Sequence, residues 1–236
     1  MLLREAVLAL LLFLSPDASG GPGQPPDPDP NRFAREIETF QDWDSRNAVP
    51  AEPVLFAGSS SIRMWCTREH FPDVPVVNRG FGGSHISDII HFMEGTVLRY
   101  KPKAIVFYAG DNDVAGGKSA ERISDDYRKF VELVHARLPD VHVVFITIKP
   151  SASRWSLWPE MRKANELIRD YCRQDERLFF ADLATPLLGP DGKPNPDLFL
   201  NDRLHLNARG YAVWSRTLRP VLQKALAPRR TAASGC

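Results

Sequence analysis

Three adjacent hydroxyls, Ser59-Ser60-Ser61, follow a short apolar run that ends in Gly58. A serine hydroxyl attacks a carbonyl only when a neighbouring base takes its proton. Such a base stands far downstream, in Asp202-Arg203-Leu204-His205. In a turn of that spacing the carboxylate can accept from one imidazole nitrogen while the other faces the serine, which fixes the tautomer and stabilises the imidazolium that forms. Between these blocks lie Gly82-Gly83-Ser84 and Gly110-Asp111-Asn112-Asp113. A Gly83 amide can approach an oxyanion closely, and the Asn112 side chain is a neutral donor. Donors of this kind are worth about 100- to 1,000-fold each in rate. Nucleophile, base, orienting acid and oxyanion donors in one chain argue for hydrolysis by a serine nucleophile.

Each block has a purely architectural use when taken singly. The serines can cap a helix beginning at Ile62. The D-x-x-H segment can be a solvated turn, Gly80–Gly83 a tight turn and Asn112 an Asx turn. Their co-occurrence at strand ends carries the weight. The glycine run fails as a dinucleotide fingerprint, because after Gly80 and Gly82 the third required position is His85. His85-x-x-Asp88-x-x-His91 could share a helical face, but no further ligand for a metal is evident. Trp155 and Trp158, after the run Ile148-Lys149-Pro150, can either line a substrate pocket or pack a helix on the sheet. Arg154 beside them can meet an anionic substrate group or stay solvated.

The elements that must position these residues alternate. Strands are expected at Val54–Ala57, Val76–Asn78, Ala104–Ala109, Val141–Ile148 and Leu178–Leu183, each rich in Val, Ile or Phe as for parallel strands buried on both faces. Helices are expected at Asn31–Arg46, Ile62–His70, Ser87–Tyr100, Ala120–Leu138, Pro159–Gln174 and Asn207–Leu226, the last capped by Asn207. Strands alternating with helices imply a doubly wound α/β sheet with right-handed crossovers. Ligands bind beyond the carboxyl ends of such strands, where the serine, glycine and asparagine blocks fall.

The 236 residues, 43% hydrophobic and 25% charged, suffice for one buried core. Thirty basic against twenty-nine acidic side chains give a formal charge of +1, so no general attraction to nucleic acid or anionic membrane is expected. Residues 1–20 have the order of a secretory signal: Arg4, an apolar run from Ala6 to Leu14, then small residues Ala18, Ser19 and Gly20. The apolar run is short of the roughly 20 residues that span a bilayer. Export to the periplasm or the exterior is therefore expected, with no stable membrane insertion of the mature chain. Residues 21–31 read as a stiff Pro-rich linker, 32–227 as the folded domain and 228–236 as a frayed tail. Cys66, Cys172 and Cys236 include no C-x-x-C pair, and the odd count leaves at least one thiol free or pairing between chains.

Gly58-Ser59-Ser60, Gly83, Gly110-Asp111-Asn112-Asp113 and Asp202-x-x-His205 resemble, in order and separation, the four blocks of the SGNH/GDSL hydrolases, from Val54 to about Leu226. The resemblance implies Ser60 as nucleophile, Asp202 and His205 as its triad partners, and an oxyanion hole of the Ser60 and Gly83 amides with the Asn112 side chain. It implies a three-layer α/β/α sandwich with a five-stranded parallel sheet of flavodoxin-like type, and chemistry without metal or cofactor. The substrate expected is a small-molecule or carbohydrate ester, short acyl and O-acetyl esters favoured, with lysophospholipids also among the candidates; no long apolar lid segment appears, which leans away from a triglyceride lipase. The acid usual before the nucleophile is Ser59 here, so the register among Ser59, Ser60 and Ser61 stays open. Ser84 follows Gly83 where many members carry an acid or amide. The Asn78–Gly83 run looks more like the branch of platelet-activating-factor acetylhydrolase-like and carbohydrate-esterase-like proteins. Two other classes share the strand pattern: a non-catalytic carbohydrate- or partner-binding module, and a flavodoxin-like nucleotide binder using the Gly58–Ser61 turn. If His205 is the base it must be neutral, so turnover is expected to rise through about pH 6 to 7.

Overall fold

The five Val-, Ile- and Phe-rich runs form one sheet in the computed structural model, which describes residues 23–227. The strands are β1 (Val54–Gly58), β2 (Val76–Gly80), β3 (Ala104–Tyr108), β4 (His142–Ile146) and β5 (Leu178–Ala181). Their order is β2-β1-β3-β4-β5, and all four pairings are parallel. Side chains alternate across a strand, so each strand feeds two cores. Leu55, Ala57, Ile105, Phe107, Val143 and Phe145 enter one; Val54, Phe56, Val106, Tyr108, Val144 and Ile146 enter the other. Helix α1 (Ala34–Arg46), α4 (Ile86–His91), α7 (Ala120–Arg137) and α8 (Trp158–Cys172) cover the first face. The second is covered by α9 (Ala208–Leu226), with Ile62 from α2 (Ser60–Arg63) and Phe71 after α3 (Thr67–His70). Two short helices, α5 (Met93–Thr96) and α6 (Asp111–Ala115), complete the set in chain order. The result is the three-layer α/β/α sandwich with a five-stranded parallel sheet that the sequence leads one to expect.

Strand order reverses between β1 and β3: the chain leaves β1 for β2 on one side and then returns to β3 on the other. The crevice beyond the carboxyl ends of these two strands is where such a sheet binds ligands. Ser60 follows β1, and Asn112 follows β3.

Three expectations differ in detail. The single helix expected over Ile62–His70 is split into α2 and α3, because Trp65 leaves the helical path to bury its ring against Tyr211 and Trp214 of α9. The helix expected over Ser87–Tyr100 breaks into α4, α5 and a 3₁₀ turn at Leu98–Tyr100: the backbone leaves helical geometry at Phe92, between α4 and α5, and at Val97, between α5 and the turn. The described part of the Pro-rich stretch lies against the domain: the Ser119 amide donates to Gln24 Oε1 at 3.0 Å, and Asp27 meets Lys118 at 2.7 Å and Arg122 at 2.8 Å. Cys66 is an exposed free thiol and Cys172 a buried one. The expected export signal and tail, with Cys236, lie outside the described residues. Among the described residues no helix is long and apolar enough to cross a membrane.

Candidate active site

At the end of β1 the chain must turn sharply without losing its pairing to β3. Gly58 takes φ +151°, and a Cβ there would collide with the Tyr108 carbonyl oxygen, so only glycine fits. The Ser59 amide then donates to that same oxygen at 3.0 Å, and Ser60 opens α2 at its first position, where the amide has no intrahelical acceptor. Ser59 and Ser61 are buried, and Ser60 is partly exposed. The structure thus separates three hydroxyls that the sequence left equivalent.

The Asp202–His205 turn is rigid. Leu200 donates its amide to the His205 carbonyl at 2.8 Å, Phe199 and Leu206 form an antiparallel bridge, and Arg203 sits in the left-handed region at φ +57°. Directly after it, Asn207 caps α9 by accepting from the amides of Arg209 and Gly210. Asp202 Oδ1 accepts from the Leu204 and His205 amides, each at 2.9 Å. Its Oδ2 lies 2.7 Å from His205 Nδ1, and His205 Nε2 lies 3.0 Å from Ser60 Oγ. Burial pushes the Asp202 carboxyl up, but the His205 hydrogen bond and the two amides outweigh it and hold it at about 2. The group is therefore anionic wherever an imidazole can act as a base. A depressed carboxyl contributes stability above its unfolded value of 3.8 that is lost as pH falls towards about 2. The side chain is nearly half exposed, so that contribution is screened.

Hydrogen bonds tie the remaining blocks to this centre. The Phe81 amide donates to the Gly58 carbonyl at 2.9 Å, Ser84 Oγ donates to the Phe81 carbonyl at 2.9 Å, and Asn112 Nδ2 donates to the Ser84 carbonyl at 3.1 Å. Buried Asp113 accepts from the Ile86 amide and from Lys118 Nζ at 3.0 Å, anchoring the turn after β3 to the glycine turn. Gly83 is exposed at φ +84° with open space around it, and its amide has no backbone acceptor. The Ser60, Gly83 and Asn112 blocks thus share one edge of the sheet, with N–H groups free to meet an oxygen.

Other expected residues play different parts. Arg154 donates to Asp111 and Asn112, so its guanidinium is engaged rather than solvated. Trp155 stacks on Trp158 with ring centroids 6.3 Å apart, and Trp158 packs on the core. Their loop adjoins the Asp202–His205 turn, since the Ser153 amide donates to the Arg203 carbonyl at 3.2 Å. Asp88 accepts from Arg32 at 2.5 Å and from the His85 amide at 2.8 Å, which makes it a helix cap and ion partner. Among the described residues no three His, Cys, Asp or Glu side chains are grouped to hold a metal. A cleft of about 650 Å³, lined by Phe40, Arg63, Trp65 and Cys66 among others, contains no triad residue. Sequence reading missed Asp111 and Lys149, a buried ion pair at 2.8 Å behind Asn112. The available signal was a lysine at the end of an otherwise apolar strand run.

The model of the GDSL-like lipase/acylhydrolase family matches residues 57–213. The chain belongs to that family. Platelet-activating factor acetylhydrolase IB subunit alpha1 of Homo sapiens is 29% identical over 193 residues, covering 78% of this chain and 80% of the relative. The orthologue from Pongo abelii matches to the same extent. Among solved structures, a GDSL-like lipase from Bacteroides thetaiotaomicron superposes with TM-score 0.67 at 21% identity, covering 84% of this chain and 98% of that one. A catalytic mutant of an acetylxylan esterase from Geobacillus stearothermophilus gives TM-score 0.59 at 16% identity, covering 74% and 96%. These structural likenesses establish the SGNH/GDSL fold. With family membership, the protein is an ester-hydrolysing enzyme.

Proposed function

We propose that the enzyme hydrolyses short acyl esters, O-acetyl esters foremost, through a Ser60–His205–Asp202 triad and an acyl-enzyme. The observation that carries the reading is the continuous relay from Asp202 Oδ2 through His205 to Ser60 Oγ, at 2.7 Å and 3.0 Å. In the first half-reaction His205 Nε2 takes the Ser60 proton as Oγ bonds to the ester carbonyl carbon. The carbonyl oxygen, now negative, is met by the Ser60 and Gly83 amides and the Asn112 side chain. Collapse of the intermediate breaks the ester C–O bond, and His205 gives its proton to the departing alkoxide. Water then repeats the sequence on the acyl-enzyme, releasing the acid and restoring Ser60. A preference for acetyl esters draws support from two matches whose names specify acetyl chemistry, one in sequence and one in fold.

Hydrolysis of p-nitrophenyl acetate, butyrate and octanoate tests the acyl preference. The acetate is expected to give the highest kcat/KM, with octanoate at least about tenfold lower, a difference of about 1.4 kcal/mol in transition-state binding. A profile that climbs towards octanoate would sink the short-acyl reading and point to lipid esters.

The N-terminal pattern supports a second proposal, that residues 1–20 direct export and are removed. Intact-mass analysis of the protein from its host should find a mature chain beginning near Gly21. A cytoplasmic chain that keeps residues 1–20 would overturn it.

A further inference from the structure

We infer that Arg154 is a positioning residue for the oxyanion hole: with Asp111 and Lys149 behind it, it locks the Asn112 amide with its N–H side towards the substrate. The inference rests on the triad reading above. An asparagine amide can sit either way round, and only one orientation donates to an oxyanion. Here both neighbours decide it. The Ser84 carbonyl, 3.1 Å from Asn112 Nδ2, can only accept, and the Arg154 guanidinium, with two nitrogens at 3.2 Å from Oδ1, can only donate. A flipped amide would set NH₂ against the guanidinium and oxygen against the carbonyl. In the observed orientation Ser84 takes one N–H, and the second is left for the ester oxygen.

The guanidinium is itself held. It donates to Asp111 Oδ1, while Asp111 Oδ2 accepts from Lys149 Nζ at 2.8 Å and from the Tyr108 hydroxyl at 3.3 Å. Burial pushes the Asp111 carboxyl up, but Lys149 and Arg154 more than offset it and keep the carboxyl below the ordinary value, so it is anionic. Two cations against one carboxylate leave one net positive charge directly behind the amide oxygen. Lys149 is 1% exposed and Asp111 4%, while the Arg154 side chain is 22% exposed, so water screens that charge only in part. The charge polarises the Asn112 amide towards N–H donation, and through that N–H alone it favours the negative charge that forms in the transition state.

Arg154 is also the member that can be removed cleanly. Its loss leaves the Asp111–Lys149 pair neutral and intact, whereas loss of either partner strands a buried charge. A reagent that phosphonylates Ser60 reads the oxyanion hole without needing the natural substrate, since its phosphoryl oxygen occupies the same place. Labelling rates with a fluorophosphonate, followed by intact mass, would be compared for the native enzyme, R154A, R154K, N112A and N112A/R154A, with S60A as the unlabelled control. R154A is expected to slow labelling about 10- to 100-fold, a fraction of what a whole donor contributes. On p-nitrophenyl acetate the loss should fall on kcat with KM nearly unchanged. R154K, which keeps the charge without the planar fork, should recover part of it. In the N112A background, removing Arg154 should change the rate by less than about twofold, because the group it acts through is gone. If the R154A loss recurs in full on N112A, or falls on KM alone, the positioning role is overturned and Arg154 is structural or binds substrate directly. Ser60 labelled at the native rate in R154A would overturn this inference alone. Failure of the native enzyme to label at Ser60 would overturn the triad reading with it.

Discussion

Replacing Ser60 by alanine is expected to lower kcat for p-nitrophenyl acetate by about 10⁵- to 10⁶-fold, to a residue of catalysis from the oxyanion hole and binding alone. The effect is large because a triad acts as a unit: without Oγ, His205 has no proton to take and no acyl-enzyme forms. The neighbouring serines provide the control. Ser59 donates its amide to the Tyr108 carbonyl, its own carbonyl accepts from the amides of Ile62 and Arg63, and its side chain is buried. The Ser61 side chain is also buried, and its carbonyl accepts from the Tyr211 hydroxyl at 3.0 Å. Neither meets His205, so S59A and S61A should stay within about tenfold of the native rate, a loss of no more than roughly 1.4 kcal/mol. Activity that survives S60A and disappears in S61A would shift the whole relay by one residue. S60A should also fold normally, since Oγ is partly exposed and its removal leaves only His205 Nε2, which water can reach, without a partner.

Those three serines mark the boundary of what the sequence made legible. Strand runs buried on both faces are continuous in Val, Ile and Phe, so the sheet was readable, and the functional blocks fell where parallel strands end. Spacing alone could not rank Ser59, Ser60 and Ser61. Their ranking depends on Gly58 taking a left-handed backbone and on α2 starting at once, which turns one hydroxyl outward between two buried ones. Long-range pairing hid the other features. Trp65 breaks its helix for partners about 150 residues away in α9, and no local pattern announces that. Asp27 looked like linker composition, yet it is an ion partner of the buried Lys118. Arg154 and Asp111 lie 43 residues apart and meet only because the turns after β3 and β4 share one sheet edge. Buried polar networks of this kind have no periodicity, so they become visible only in three dimensions.

The orienting carboxylate allows a sharper experiment than simple deletion. D202N is expected to lower kcat by about 10⁴-fold at neutral pH while leaving the fold intact. The backbone decides why. Asp202 Oδ1 accepts from the amides of both Leu204 and His205, at 2.9 Å each. In an asparagine, the carbonyl oxygen must keep those two donors, since turning the NH₂ towards them would set donor against donor. The NH₂ is then forced to face His205 Nδ1, where Oδ2 now lies at 2.7 Å. Nδ1 must accept, so the ring proton moves to Nε2 and points at Ser60 Oγ, 3.0 Å away. An imidazole in that tautomer cannot take the serine proton. The expected signature is a kcat defect with little change in KM, because the substrate touches neither Asp202 nor the tautomer until the reaction begins. Thermal stability near pH 7 should change little, as the side chain is nearly half exposed and water competes for its hydrogen bond to His205. Because the native carboxyl is held at about 2, any acid limb of the native pH profile above pH 4 comes from another group. A D202N enzyme within tenfold of native would show that His205 takes its orientation from elsewhere. A D202N enzyme that unfolds at neutral pH would show that the carboxylate matters first to the turn, through the two amides it holds.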